Sequence, residues 1–376
     1  MQKKTYTNII IHKNFLQAFV FINTHLREYS QGLLRLYFFK DDFAPYSKRV
    51  KAYRDQIFKD YFSSYLNDFQ IIEGRRNLES INFEGTTHLF TLDAFYERNL
   101  FLKLKTPSKF IHISSYLLSQ LDKETKIVLS SKQQFPPFKN LYESQLPQSY
   151  NTPFLPPKNI QSLQKVAKYF KGEYPSHYFE TRNQLIKNDK NDFFSTHFSD
   201  LLAWGLIDVR YLYNLVRNYE KTKHKNKSTY WHIFEFLWRD FFYWLYKDQG
   251  ASLYSKNGLK GEPSFFKQED FDEKLLAFEH PFMKASFNEL SETGYLSNRT
   301  RQLFASYWIN ELDRPWWQGA LLFERYLIDY DPYSNYGNWM YLGGKGVDPR
   351  GKRHFHLENQ LERYDPENKY IRHWNN

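Results

Sequence analysis

The first 135 residues alternate short apolar runs with longer amphipathic segments. Five apolar runs predict strands, at residues 8–12, 34–39, 69–72, 88–92 and 110–114. Two segments, near residues 15–27 and 46–65, have the apolar spacing of three and four that is typical of helices packed on one face. This succession of strand, helix and strand favours a parallel sheet of the βαβ type, and therefore an α/β domain.

A different pattern begins after a proline-rich stretch. Six of the 15 prolines lie between Pro136 and Pro157, which disfavours regular structure and indicates a linker between two domains. From Leu163 onward the apolar spacing is almost wholly helical, with no convincing alternation. The predicted organisation is an α/β domain at 1–135, a linker at 136–165 and a larger all-α domain at 166–376.

Composition narrows the class of partner. Lysine and arginine number 52 against 42 acidic residues, which gives a formal net charge of +10 and favours polyanionic partners. A mildly basic, solvated surface would have the same composition. Aromatic residues make up 20% of the chain, and we expect most of them to fill a core, although some can stack on planar ligands or bases.

The chain has no cysteine, which excludes disulfides, thiolate metal sites and cysteine nucleophiles. The first residues lack the apolar region of a signal peptide, and no apolar run approaches the roughly 18 residues that span a bilayer. We therefore expect a soluble, cytoplasmic protein that does not bind membranes. The sequence leaves the oligomeric state open.

The stretch from Tyr295 to Tyr341 carries the densest polar chemistry. Ser297 or Asn298 can cap a helix, which places Asn298, Arg299 and Arg301 at its positive end, where an anionic ligand is favoured. A second helix, near 317–329, is expected to stop at a polar Pro/Gly turn that could form a ligand wall. A capped helix pair with a polar turn and no ligand is the plain alternative.

Two further segments could hold a ligand. Ser195, Thr196 and Ser199 stand at the start of a predicted helix, where hydroxyls and free N–H groups can bind phosphate, although serine and threonine cap most helices.

In the second segment, residues 231–241, a helix is predicted with Phe234, Leu237, Phe241 and Trp244 on one buried stripe. The adjoining face would present Glu235, Trp238 and Arg239. The alternative is an ordinary surface ion pair between Glu235 and Arg239.

These motifs, in this order, resemble the flavin domain of the cryptochrome/photolyase family, and the DASH type in particular. The resemblance rests on Ser-Asn-Arg-x-Arg-Gln at 297–302, Asp-x-Asp-x-x-Ser-Asn-Tyr-Gly-Asn-Trp at 329–339, Asp-Pro-Arg-Gly at 348–351 and Tyr-Asp-Pro at 364–366. It runs from about Tyr178 to the C-terminus. It implies that the all-α domain is an FAD-binding domain of the photolyase type.

The resemblance also implies a set of cofactor contacts. Asn335 would lie beside the reactive ring nitrogen of the flavin, and Arg239 would face its phosphates. Asp200 stands where the family has proline, and a carboxylate near a pyrophosphate is unfavourable unless it points away. His232 stands where relatives often have an aromatic residue near the cofactor. The implied FAD-binding residues are Tyr178, Ser195, Thr196, Phe198, Ser199, Arg239, Asn298, Arg301, Asp329, Asp331 and Asn335.

On the substrate side, the resemblance implies light-driven repair of a cyclobutane pyrimidine dimer in DNA, presented by a single strand or flipped from the duplex. Glu235 and Trp238 would face the dimer, and the mouth of the site would be lined by Asn298, Arg299, Gln302 and Tyr341. A cryptochrome-like photoreceptor and a flavin-free nucleic-acid binder are the alternatives, the latter disfavoured by the retained flavin residues.

Besides Asp200 and His232, two larger features depart from the family. Trp339 and Trp316 match the inner members of its tryptophan relay, but residues 270–275, where the outer member is expected, contain no tryptophan, so the relay is broken or rerouted through Trp308 or Trp317. The resemblance also places an antenna-type domain at the N-terminus. This domain looks shortened and lacks the opening Trp-Phe-Arg-x-Asp-Leu-Arg signature, so we assign no antenna pigment.

Overall fold

A computed structural model gives the structure of most of the chain. It describes residues 6–11, 15–25, 31, 33–40, 46–73, 75–81, 83–90, 104–106, 108–112, 135–152, 161–186, 193–348 and 350–376. Parts of the predicted strands and helices of the first domain, and the prolines at 153, 156 and 157, lie outside these residues.

The first domain is built on a five-stranded parallel sheet. The strands follow the spatial order β3-β2-β1-β4-β5, and each neighbouring pair is parallel. In the central strand, Ile9, Ile10 and Ile11 are fully buried, as expected for a strand covered on both faces. The predicted parallel α/β sheet is confirmed, with β1 at Thr7–Ile11, β2 at Leu34–Lys40, β3 at Phe69–Glu73, β4 at Thr86–Phe90 and β5 at Ser108–His112.

Aromatic packing joins the sheet to its helices. Phe38 of β2 stacks on Phe58 at a ring-centroid distance of 3.8 Å, and Phe15 meets both of them edge on. The Ser47 hydroxyl accepts the Val50 N–H and so caps the second helix. A short third helix was not predicted. The helices are α1 at Phe15–Thr24, α2 at Lys48–Phe62, which continues as a 3-10 turn at Ser63–Asp68, and α3 at Arg75–Ser80.

The proline-rich stretch contains regular structure, contrary to expectation. Helix α4 spans Phe135–Gln145, and α5 at Gln161–Lys171 begins before the predicted end of the linker. Pro136 and Pro137 lie in the first turn of α4, where the backbone N–H groups have no intrahelical acceptor, so proline costs nothing there. The expectation of irregular structure was wrong here because it did not consider that both prolines lie in the first turn of a helix.

The regular structure of the described residues from 174 onward is helical, with β-structure limited to the isolated bridges Ser255–Phe265 and Gly343–Lys352, which confirms the predicted all-α region. The helices are α6 at Tyr174–Thr181, α7 at Ser199–Ala203, α8 at Val209–Thr222, α9 at Lys227–Gln249, α10 at Pro281–Thr293, α11 at Asn298–Asn310, α12 at Trp316–Tyr326, α13 at Pro332–Leu342, α14 at Leu357–Tyr364 and α15 at Lys369–Asn375. None of the helices in the described part is long and apolar enough to cross a membrane.

Helix α13 replaces the predicted polar turn, and this expectation was wrong. The Asp331 carboxylate accepts the Ser334 N–H at 3.0 Å and caps the helix, and Pro332 occupies its first position. Gly337 lies within α13 and does not interrupt the helix. A Cβ at Gly337 would lie 2.2 Å from Cδ1 of Phe242 on α9, so the glycine permits close packing of the two helices.

Helix α9 is the long central helix of the second domain. It begins with a capping box in which Asn226 and Thr229 satisfy each other's backbone N–H groups. Of the predicted stripe, Leu237 and Phe241 are fully buried, whereas Phe234 and Trp244 are only half-buried. The buried surface of α9 therefore differs from the predicted stripe, because α6 and α13 also pack against this helix.

A buried carboxyl links α10 to the C-terminal helix. Tyr370 on α15 donates a hydrogen bond to Oε2 of Glu289 on α10 at 2.5 Å. Burial raises the pKa of Glu289 to about 8, against the opposing effects of Tyr370 and Arg301. The folded state therefore holds this proton more tightly than the unfolded chain does.

We predict that Glu289→Gln flattens the pH dependence of stability. Because the folded pKa is raised, the contribution of Glu289 is full below about pH 4.5 and is lost as the pH rises through about 8. Thermal unfolding from pH 5 to 9 should show a larger fall in Tm for the wild type than for the variant, since each pKa unit is worth about 1.4 kcal/mol. Glu292→Gln, on the exposed side of α10, is the matched control. Parallel curves for wild type and Glu289→Gln would contradict the assignment.

Candidate functional site

A cavity of about 480 Å³ opens between the helices of the second domain. Its walls come from α6, the segment 195–199, α9, α11, α12 and α13. These elements are far apart in the sequence, so only the folded domain forms the cavity. Its walls mix aromatic rings with charged and amide groups, which suits a large, partly planar and partly anionic ligand.

The structure brings together almost all of the predicted site residues. Trp316 and Arg299 are the exceptions, since neither lines the cavity. The predicted site residues that do line the cavity are Tyr178, Ser195, Thr196, Phe198, Ser199, Glu235, Trp238, Arg239, Asn298, Arg301, Gln302, Asp329, Asp331, Asn335, Trp339 and Tyr341. The individual roles of these residues remain predictions.

One end of the cavity is suited to phosphate. The hydroxyl-bearing residues Ser195, Thr196 and Ser199 line it beside Arg239. The Arg239 guanidinium lies 3.6 Å from the Asp331 carboxylate and donates to the Leu202 carbonyl at 3.3 Å. The guanidinium is thus held in one direction by two different segments, with donors suited to an anion.

Arg301 and Asp329 form a second charged pair in the wall. Arg301 donates to Oδ2 of Asp329 at 2.7 Å and to the Leu296 carbonyl at 2.9 Å. The other carboxylate oxygen of Asp329 is buried and accepts no hydrogen bond from the described residues. A buried acceptor without a partner is costly, so this oxygen is suited to a hydroxyl or N–H donor of a ligand.

Asn335 presents one defined end of its amide to the cavity. Its Nδ2 donates to the Ala320 carbonyl at 2.9 Å. A carbonyl can only accept, so this bond fixes the amide orientation and leaves Oδ1 of Asn335 free to accept a donor from a ligand.

Glu235 and Arg239 do not pair with each other, although they are four residues apart on α9. Glu235 accepts a hydrogen bond from Nη1 of Arg182 at 2.5 Å, whereas Arg239 faces Asp331. Burial raises the pKa of Glu235, and Arg182 opposes the shift. The surface-pair alternative is therefore wrong. Arg182 is a wall residue that the sequence analysis missed, although it lies one helical turn after Tyr178.

The mouth of the cavity is aromatic. Trp238 stacks on Phe135 of α4 at 3.7 Å and meets the edge of Tyr341 at 5.9 Å. Arg353 donates to the Tyr341 hydroxyl and also lines the cavity, a residue that the analysis missed. Arg299 lies to one side, with its guanidinium 4.7 Å from the Tyr364 ring centroid. Arg299 was predicted to line the mouth, but it is not among the residues that line the cavity.

His197 is a further missed residue of the wall. It has a positive φ of 52°, a conformation that histidine adopts more readily than most residues, and its ring lies 4.9 Å from that of Tyr295. Burial lowers the pKa of His197 to about 4, so the imidazole is neutral at physiological pH. The only sequence signal was its place inside the hydroxyl segment. His232 is buried behind the wall, bonded to Tyr169 at 2.8 Å and to the Ser228 carbonyl at 2.9 Å.

The tryptophans of the predicted relay have different neighbours. Trp339 lines the cavity, and its ring lies 6.4 Å from that of Trp308 in an edge-to-face arrangement. Trp316 is buried, donates to the Lys256 carbonyl at 2.9 Å and lies 6.1 Å from Phe266. Phe266 in turn stacks on Trp317. Both rerouting hypotheses remain open, with Trp308 in contact with Trp339.

Comparisons with known proteins agree with this geometry. Residues 231–375 match the model of the FAD binding domain of DNA photolyase. A cryptochrome DASH from Idiomarina loihiensis is 44% identical over 217 residues, which are 57% of this chain and 47% of the relative. A chloroplastic/mitochondrial cryptochrome DASH from Arabidopsis thaliana is 41% identical over 219 residues, 56% of this chain and 37% of the relative. The matched segment thus spans about half the length of such relatives, or less.

Solved structures extend the likeness over the whole chain. A cryptochrome from Synechocystis has a TM-score of 0.74 and 25% identity, and the match covers 100% of this chain and 89% of that one. A class III photolyase from Agrobacterium tumefaciens has a TM-score of 0.70 at 19% identity, covering 100% and 87% of the two chains, which shows the fold alone.

The fold and the cavity define a flavoprotein scaffold whose residues 231–375 match an FAD-binding domain of the photolyase type. Over 217 residues the chain is similar to a cryptochrome of the DASH type. Its cofactor is FAD, and the residues present in the wall fit it: hydroxyls and guanidinium groups, a buried Asp329 oxygen that the described residues leave without a donor, and the Asn335 amide.

We predict that Arg239→Ala weakens FAD retention more than Arg299→Ala. Arg239 lies in the cavity wall beside the hydroxyl segment, whereas Arg299 packs on Tyr364 outside it. Loss of a charge-assisted hydrogen bond should raise the FAD Kd about tenfold or more for Arg239→Ala. Titration of apoprotein, followed by flavin fluorescence, measures both. Equal losses in the two variants would remove Arg239 from the cofactor site.

We also predict that Trp339→Phe slows the bleaching of bound FAD under blue light with a thiol donor. Trp339 is the relay tryptophan that lines the cavity. The Trp308→Phe and Trp317→Phe variants then separate the two rerouting hypotheses, because bleaching should slow only when the substituted tryptophan lies on the conducting path. Identical rates for wild type and Trp339→Phe would mean that this indole is not a conduit.

Proposed function

We propose that this chain carries out blue-light-dependent, FAD-dependent repair of cyclobutane pyrimidine dimers in DNA. The observation that carries the proposal is the half-buried Glu235 carboxyl, held by Arg182 at the cavity wall beside Trp238. A hydrogen-bonding carboxyl next to an aromatic platform suits two adjacent bases turned out of a nucleic-acid strand.

Each of these residues has a separate part in the proposal. FAD, when bound, supplies the light-driven one-electron chemistry. Glu235 hydrogen-bonds the edge of the dimer as a carboxylate, and Arg182 favours this charged form against the rise in the Glu235 pKa that burial causes. Arg182 fixes the direction of the carboxyl. Trp238 and Tyr341 contact the bases, and Phe135 supports the back of the Trp238 ring.

Charge supports DNA as the partner. The chain has a net charge of +10, and arginines 182 and 353 both line the cavity. Binding of basic residues to the phosphate backbone of DNA is independent of base sequence and weakens steeply with salt. Such binding would bring the strand to the cavity without selecting the lesion. Selection falls to Glu235, Trp238 and Gln302 in the wall.

A cryptochrome-like photoreceptor without repair activity is the second candidate. The departure at residues 270–275, where the family's outer relay tryptophan is missing, favours it. Dimer splitting needs the pocket in which Glu235 lies, whereas light reception does not. The function of Glu235 therefore separates the two candidates.

We predict that Glu235→Ala lowers dimer repair about ten- to a hundredfold, because a charge-assisted hydrogen bond in a desolvated pocket is worth roughly 1.5–3 kcal/mol. FAD retention and binding of undamaged single-stranded DNA should change little. The assay is illumination of the reduced protein with an oligonucleotide that contains a thymine dimer.

Glu180→Ala is the matched control, since Glu180 lies on the neighbouring helix α6 outside the cavity wall. It should repair as the wild type does. Absence of repair by the wild type would favour the photoreceptor, and equal repair by wild type and Glu235→Ala would exclude Glu235 from the site.

A further inference from the structure

Asp200 is a buried carboxylate directly after the hydroxyl segment of the cavity. It is 8% exposed, and its side chain lies outside the described cavity wall although Ser199 lines it. Both of its oxygens are bonded. Tyr53 donates to Oδ2 at 2.6 Å, and Lys165 donates to Oδ1 at 2.7 Å and to Oδ2 at 2.8 Å. The carboxylate thus points away from the phosphate end, as the sequence required of an acid at this position.

The partners of Asp200 come from other parts of the chain. Tyr53 lies on α2 of the first domain, and Lys165 lies on α5. Burial, followed by the charge of Asp200, raises the pKa of Tyr53, so the phenol stays protonated and donates. We call Tyr53, Lys165 and Asp200 the Asp200 clamp.

Neighbouring contacts show that the first domain holds this region at more than one point. The Phe15 N–H donates to the Trp204 carbonyl at 3.3 Å, and the Tyr61 hydroxyl donates to the Leu206 carbonyl. The Trp204 indole donates to the Ile328 carbonyl at 2.7 Å, next to the cavity residue Asp329. Of these contacts, the clamp is the one that neutralises a charge beside the cavity.

We propose that the Asp200 clamp makes FAD affinity depend on the first domain. Tyr53 and Lys165 act as positioning residues: they hold the Asp200 carboxylate away from the cavity and compensate its charge, so that Ser195, Thr196 and Ser199 can face a pyrophosphate. The proposal rests on FAD binding in this cavity with its phosphates at the hydroxyl segment. By linkage, bound FAD also stabilises the contact of α2 with Asp200.

The test is FAD titration of the apoprotein with Tyr53→Phe and Lys165→Met. Either change releases the carboxylate toward an anion, and the FAD Kd should rise about five- to tenfold, at the low end of couplings between distant sites. Addition of Asp200→Asn to either variant removes the repelling charge and should return the Kd to near the wild-type value. A merely structural role would not give this rescue.

Tyr61→Phe is the matched control, because it removes a hydroxyl from the same helix without touching Asp200. Its FAD Kd should equal that of the wild type. In addition, FAD should slow hydrogen exchange of residues 48–62 in the wild type and not in Tyr53→Phe. An unchanged Kd in Tyr53→Phe, a failed rescue, or an equal loss in Tyr61→Phe would each overturn the proposal. Wild-type apoprotein that takes up no FAD would instead overturn the cofactor site.

Discussion

The close approach of α13 to α9 is the constraint on which the site depends. Gly337 has no side chain where α13 meets the Phe242 ring, and any Cβ would clash at 2.2 Å. At this separation Arg239 of α9 reaches Asp331 at the start of α13, and Asn335 turns its amide toward the cavity. A wider gap would lose the ion pair and change the width of the cavity. The missing side chain therefore sets the geometry of the charged wall.

Charge is distributed around the cavity in pairs from different segments. Arg182 holds Glu235, Arg239 faces Asp331, and Arg301 holds Asp329. An unpaired buried charge would cost several kcal/mol, so a polar cavity within an aromatic core is stable only when each charge has a partner. The pairing also fixes the direction of each side chain before a ligand arrives, which lowers the cost of binding. Among the described residues, no group donates to the second oxygen of Asp329, so this oxygen is suited to a donor from a ligand.

The same rule explains the most unusual residue of the phosphate end. Tyr53 and Lys165 both donate to the Asp200 carboxylate, which makes an acid at position 200 compatible with the anion site proposed at the hydroxyl segment. Its partners lie 147 and 35 residues away in the sequence, so the phosphate end is supported from outside the helical domain. The two domains are therefore joined by buried polar contacts as well as by apolar packing.

The sequence by itself determined most of the elements, although it missed α3, α4 and α13. Apolar runs and helical spacing identified the five strands of the sheet and the helical nature of the second domain, and Ser297 was correctly named among two candidate caps of α11. These features depend on the local chain, since strand and helix periods and caps involve residues within a turn or two of one another. The resemblance to the family added about half of the residues that line the cavity, because their order along the chain is itself a signature.

Only the tertiary structure decided the partners. Glu235 and Arg239 are neighbours on one helix, yet each pairs with a residue of another segment, and the Glu235 partner Arg182 is 53 positions away. The sequence pattern places Gly337 in a turn. In the structure it lies within α13, where the Phe242 ring of α9 leaves no room for a side chain. The direction of Asp200 depended on a tyrosine in the other domain. The physical reason is that backbone periodicity is a local property, whereas the partner of a buried charge is set by which helices pack together.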